Sequence, residues 1–170
     1  VDSYFNPMRL LMLQSRRSAA YKGIMALIMK NHSRDFISGQ EMDLVLYKAA
    51  GIDIHHIFPK NYCKSRGYDY IKWDSIINKT PLSYSTNREI GGVAPSEYLA
   101  RIEKKKVEQT DLRDYLASHW IDMADCMIDD FERFIVHRAR KILDAIANVT
   151  GKPISGRDSD EVREKFGEIL

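Results

Sequence analysis

Two short stretches of this chain read as strands, and nearly everything else with a period reads as helix. Ile52 to Phe58 is rich in Ile and is ended by Pro59. Lys79 to Ser83 gives a second strand, which Pro81 confines to an edge or a strand end. Ser85 offers a cap for a brief helix through Asn87 and Ile90, and Gly91-Gly92 stops it. Strand, connection, strand and short helix make a ββα unit.

Helical periods surround that unit. Ala20, Ile24, Leu27 and Ile28 form one apolar stripe from about Ser18 to Asn31, widened by Tyr21, Met25 and Met29. Pro95-Ser96-Glu97 starts a helix to about Lys105, and another fits from about Asp111 to Trp120. A long helix fits from about Met127 to Val149, ended by Gly151-Lys152-Pro153, and the charged tail from Ser155 holds one last weak helix. The expected fold is α+β, mostly helical, with a small ββα finger embedded in a helical domain. Residues 1–50 read as an N-terminal helical segment, 51–106 as the core carrying the finger, and 107–170 as a helical part packed on it. Val1 in place of Met suggests a fragment of a longer protein.

Composition narrows the setting. No apolar run approaches the ~18 residues needed to span a bilayer, and Asp2, Asn6, Pro7 and Arg9 spoil any signal peptide. Cys63 and Cys126, the only cysteines, exclude a disulfide framework and a CxxC zinc cage, so a cytoplasmic location is expected. The net charge of +2 hides an asymmetry: residues 55–106 hold ten Lys/Arg against five Asp/Glu, while 107–136 hold two against eight. A basic segment over the finger is what a phosphate backbone requires, although charge runs are more often solvated faces.

The chemistry concentrates in Asp53-Ile54-His55-His56-Ile57-Phe58-Pro59-Lys60. Neighbours on a strand point to opposite faces, so His55 and His56 divide their labour, one binding a metal and the other acting as a base. A bare His-His pair is more often two half-buried, hydrogen-bonded histidines. Asn78 lies 22 residues beyond His56 and Asn87 nine beyond Asn78. Buried or helical Asn needs a use for its amide. Asn87 offers an oxygen to a hard cation, and Asn78 can brace the connecting loop, though a plain turn residue is nearly as good a local reading. Asp53, on the same strand face as His55, is expected to support that histidine from behind. Cys63 lacks any oxyanion hole, and His119 and His137 read as structural.

The strings DIHHIFPK and DSIINKTPLSYSTNREIGGVAPSEYL resemble the HNH nucleases of the ββα-metal superfamily, in particular the domain that ends GmrSD-type, modification-dependent restriction proteins. Asp35-Phe36, Ser38-Gly39, Ser118-His119 and the Phe131 to Arg138 helix add to the likeness, which spans roughly Tyr21 to Pro153. The resemblance implies His56 as general base, His55 and Asn87 as ligands of a divalent metal, and Asn78 as the structural asparagine. It implies Mg²⁺ first, with Mn²⁺, Ni²⁺ or Zn²⁺ as alternatives because imidazole suits them too. Lys60, Lys79 and Arg88 are the expected phosphate contacts. The implied partners are DNA, modified or not, and a regulatory N-terminal domain outside this sequence, in a restriction or antiviral defence protein. Two other readings stand beside it: a catalytically silent HNH-like DNA-binding or interaction module, and a helical scaffold with a turn-rich insertion.

Overall fold

The computed structural model describes residues 4–49 and 51–170. Val1 and Ala50, at the two ends of the expected N-terminal segment, lie outside the described residues. The fold is α+β and mostly helical. Strands β1 (Ile52–His56) and β2 (Lys79–Ser83) form one antiparallel pair, with Ile52 opposite Ser83 and His56 opposite Lys79. An isolated pair is marginal in water, so the helices must supply its stability. Helices α1 (Ala19–Lys30), α2 (Leu44–Lys48) and α5 (Tyr84–Ile90) pack against it, and α3 (Lys60–Arg66) and α4 (Tyr70–Trp73) lie in the connection between its strands. Next come α6 (Pro95–Lys104), α7 (Gln109–Ser118), α8 (Met123–Met127), α9 (Phe131–Thr150) and α10 (Asp160–Phe166). Among the described residues no helix is long and apolar enough to cross a membrane.

One hydrophobic core runs from Leu10 to Leu170 and takes residues from all three expected segments. Its centre lies directly behind the finger. Phe58 is fully buried, with its ring 4.9 Å from that of Phe134 and 5.4 Å from that of Phe131 on α9. The Tyr98 hydroxyl on α6 donates to the Ile57 carbonyl at 2.8 Å. The chain just after β1 is thereby pinned to two helices, and truncating Phe58 to Ala should remove about 3–5 kcal/mol.

The elements depart from the sequence reading in places. β1 ends at His56, two residues before Phe58, because the chain turns into the core there. The cap of α5 is Ser83, whose hydroxyl accepts from the Thr86 amide at 3.2 Å, and not Ser85. The long helix starts at Phe131, because Asp129 takes a positive φ of 54° and Asp130 caps the Arg133 amide, leaving α8 as a separate turn. The short helices α2, α3 and α4 and the 3₁₀ turns Pro7–Met12 and Ile76–Asn78 carry too few residues for a readable period.

Candidate functional site

Register decides which histidine faces what. His55 lies opposite Thr80 and His56 opposite Lys79, and directly opposed residues share a face. Each histidine thus looks out on a different side of the pair, as the alternation expected. Where β1 bends away, both still line one cleft of about 270 Å³, together with Asn87, Lys60, Asn61 and the Gly91-Gly92 turn.

His55 is buried, and burial is the main cause that drives its pKa down to about 4, against the partial support of Asp53. The imidazole is therefore neutral near pH 7. Its Nε2 is buried without a hydrogen-bond partner among the described residues, a state that costs about 1–3 kcal/mol unless something fills it. Asn87 reaches the same cleft from α5, and its side-chain amide makes no hydrogen bond within the described residues. The start of α5 is fixed by the buried Asp35, whose carboxylate accepts from the Ser83 amide at 3.0 Å and the Thr86 hydroxyl at 2.5 Å. Its end is fixed by Gly91, whose φ of 57° with ψ of −139° suits glycine alone.

His56 has a different neighbourhood. Its Nε2 lies 3.0 Å from Oδ1 of Asp74, and its ring centre is 5.7 Å from that of Trp73. Burial lowers its pKa and outweighs the opposing hydrogen bond to Asp74. Asp74 is partly buried, which disfavours its charge, but His56, Lys79 and Tyr70 together hold the carboxyl below its usual range.

Asn78 is fully buried and spends its whole amide on backbone. Its Oδ1 accepts from the Phe58 amide at 2.8 Å, and its Nδ2 donates to the carbonyls of Phe58 and Trp73, both at 2.9 Å. Lys60 is exposed on the cleft wall. Arg88 is exposed on α5, outside that wall.

Two expected roles need correction. Lys79 is not free for a phosphate: the ammonium donates to the Gln14 carbonyl at 3.1 Å and lies 3.3 Å from Asp74, in a buried position. Asp53 shares the face of His55 but gives its carboxylate to Arg16 at 2.6 Å and to the Ile54 amide at 2.8 Å, so it acts on His55 only through charge.

The sequence reading missed Asp74. The only signal was negative: between His56 and Asn78 lie two carboxylates, and Asp69 is the cap of α4. Asp35 and Arg138 carried no assigned role in the sequence, whereas His119 was expected to be structural. His119 is fully buried between the Thr80 hydroxyl at 2.6 Å and the Arg34 carbonyl at 2.7 Å, and burial takes its pKa to about 3. Arg138 on α9 donates to the carbonyls of Ile77 at 2.6 Å and Lys79 at 2.7 Å, clamping the entry to β2. Asp122, Asp125 and His137 also bring ligand-type atoms within 4.8 Å of one another. There the buried Asp125 is already taken by His137 at 2.6 Å and Arg133 at 3.2 Å.

No protein-family model matches the chain. It is similar to an uncharacterized protein, MJ0686, of Methanocaldococcus jannaschii, with 29% identity over 168 aligned positions that cover 86% of this chain. The chain spans 28% of that relative's length.

Proposed function

We propose that this chain is a metal-dependent endonuclease domain that hydrolyses phosphodiester bonds of DNA, including modified DNA, within a longer restriction or phage-defence protein of the cytoplasm. The observation that carries the reading is the convergence on one cleft of a neutral His55 with an unpartnered Nε2, an Asn87 with an unused amide, and His56 on its carboxylate. These donors fit a divalent cation: among the described residues both neutral groups lack protein partners beside a polar cleft, and no ammonium or guanidinium is bonded to either. Such a donor set leaves most of the ion's coordination to water and substrate oxygen, which suits Mg²⁺ and Mn²⁺.

His55 and Asn87 would hold the divalent cation, which when bound would supply electrostatic stabilisation of the charge that develops on the phosphate. His56 takes the proton from water as the water oxygen bonds to phosphorus. The bond to the 3′ oxygen breaks, and that oxygen takes a proton from solvent, leaving 5′-phosphate and 3′-hydroxyl ends. Lys60 contacts phosphate at the cleft wall, and Arg88 meets the backbone further out. Asn78 holds the framework and touches no substrate.

A plasmid-nicking assay with Mg²⁺ or Mn²⁺ tests this, alongside calorimetric titration of the ion. His56→Ala should lose about 10²–10⁴-fold in rate and still bind the ion. His55→Ala should lose both, with partial rescue at high metal concentration. Equal cleavage by all three proteins sinks the assignment, and the reverse pattern of ion binding exchanges the roles of the two histidines.

A further inference from the structure

Asp74 caps the C-terminal end of α4 and is tied into the site from three directions. Its Oδ1 lies 3.0 Å from His56 Nε2 and 3.3 Å from Lys79 Nζ. Tyr70, on the same short helix, helps to hold the carboxyl below its usual range. The third tie runs through the backbone: Asn78 Nδ2 donates both to Phe58, two residues beyond His56, and to Trp73, one residue before Asp74. A single buried amide thus fixes the two chain segments whose side chains meet.

The geometry points to Asp74 as the positioning residue of the proposed hydrolysis: it holds the Nε2–H of His56, leaving Nδ1 as the atom that takes the proton from water. The inference rests on the nuclease reading for its catalytic consequence. The chemical argument is short. An ionised carboxylate can only accept, so the nitrogen facing it carries the hydrogen. A neutral imidazole has one N–H, so the lone pair lies on the other nitrogen. Among the described residues that nitrogen makes no hydrogen bond. Lys79 keeps Asp74 ionised and cannot compete for His56, because two donors repel. This gives Lys79 a use inside the site in place of the phosphate contact.

A purely structural ion pair would give the same distances, so the test must read the tautomer. In ¹⁵N-labelled protein above pH 7.5, long-range proton–nitrogen correlations identify the protonated ring nitrogen, with His56 assigned by its loss in His56→Gln. Wild type should carry hydrogen on Nε2. Asp74→Asn keeps the shape but can donate, so it should shift the population towards Nδ1–H. The rate of nicking should then fall on the order of 10²-fold, with KM for DNA unchanged. Asp74→Glu, which restores an acceptor-only group, should recover the Nε2–H tautomer and bring the rate to within about tenfold of wild type.

Hydrogen on Nδ1 in wild type overturns the proposal, as does an Asp74→Asn protein with unchanged tautomer and rate. A wild type that cuts no nucleic acid overturns the nuclease reading, and with it the catalytic role of Asp74. A cutting wild type matched by Asp74→Asn overturns Asp74 alone.

Discussion

Replacing Arg138 by Met isolates the force that shapes the entry to β2. The guanidinium is fully buried, and its Nη1 and Nε donate to the carbonyls of Ile77 (2.6 Å), Lys79 (2.7 Å), Ile76 (3.3 Å) and His119 (3.1 Å). Among the described residues no carboxylate pairs with it, and burial lowers its pKa to about 9, so it stays charged at neutral pH. Two effects oppose each other in the variant. Removing a buried charge recovers several kcal/mol of desolvation, whereas each buried carbonyl left without a donor costs about 1–3 kcal/mol. Ile77 and Lys79, at the shortest distances, lose most, and Ile76 and His119 add to the loss. We expect a net destabilisation of about 2–4 kcal/mol. With a urea m-value of about 2 kcal/mol/M, in the middle of the usual range, the midpoint should fall by roughly 1–2 M at unchanged m. Arg138→Lys keeps the charge but cannot fork between carbonyls, and should fall between the two. Urea melts followed by circular dichroism decide it. A Met variant as stable as wild type would falsify the view that these carbonyls, and not the surrounding apolar packing, hold the entry to β2.

Three further outcomes follow from the same contacts. The folded-state pKa of His119 is about 3, below its ordinary value of 6.5, so its stabilisation is complete above about pH 6.5 and is lost as pH falls towards 3. Melting temperatures taken from pH 7 to 4 should drop, and the slope should flatten in His119→Gln; parallel curves refute the assignment. Asn78→Ala leaves the Phe58 amide and the Trp73 carbonyl unsatisfied, and the Phe58 carbonyl with the Cys63 thiol alone; it should cost about 2–4 kcal/mol, read by thermal unfolding, and a change below about 0.5 kcal/mol would mean that water replaces the amide. Lys60→Ala should weaken DNA binding and reduce the salt slope by about one, whereas Lys79→Met should lower the melting temperature, and binding titrations that give both variants the same phenotype refute the separation.

The parts of the fold that the sequence announced are those set by local chemistry. Pro59 and Pro95 mark boundaries whatever surrounds them, and Ser18 caps α1 through a hydroxyl three residues from its amide partner. The separate start of α9 was masked because Met127 and Ile128 extend its apolar period, although both are exposed. The histidines and Asn87 were legible because a strand, a turn and a helix of known pitch place them. Asp74 and Lys79 were not. Their use depends on which elements cover the face of His56, and Gln14 and Tyr21, which meet Lys79 there, lie far off in an unrelated stretch. Asp53 failed for the same reason: Arg16, which claims it, belongs to a segment with no period.

The clamp on β2 also sets an order in time. Sixty-one residues separate Ile77 from Arg138, and a ribosome adding about 5–20 residues per second needs roughly 3–12 s to cross that interval. During those seconds both strands exist, yet the donor that gathers the carbonyls around β2 has not been made. The entry to β2 is therefore clamped only once α9 has emerged, and the nascent chain carries both histidines for several seconds before the framework behind their cleft is complete.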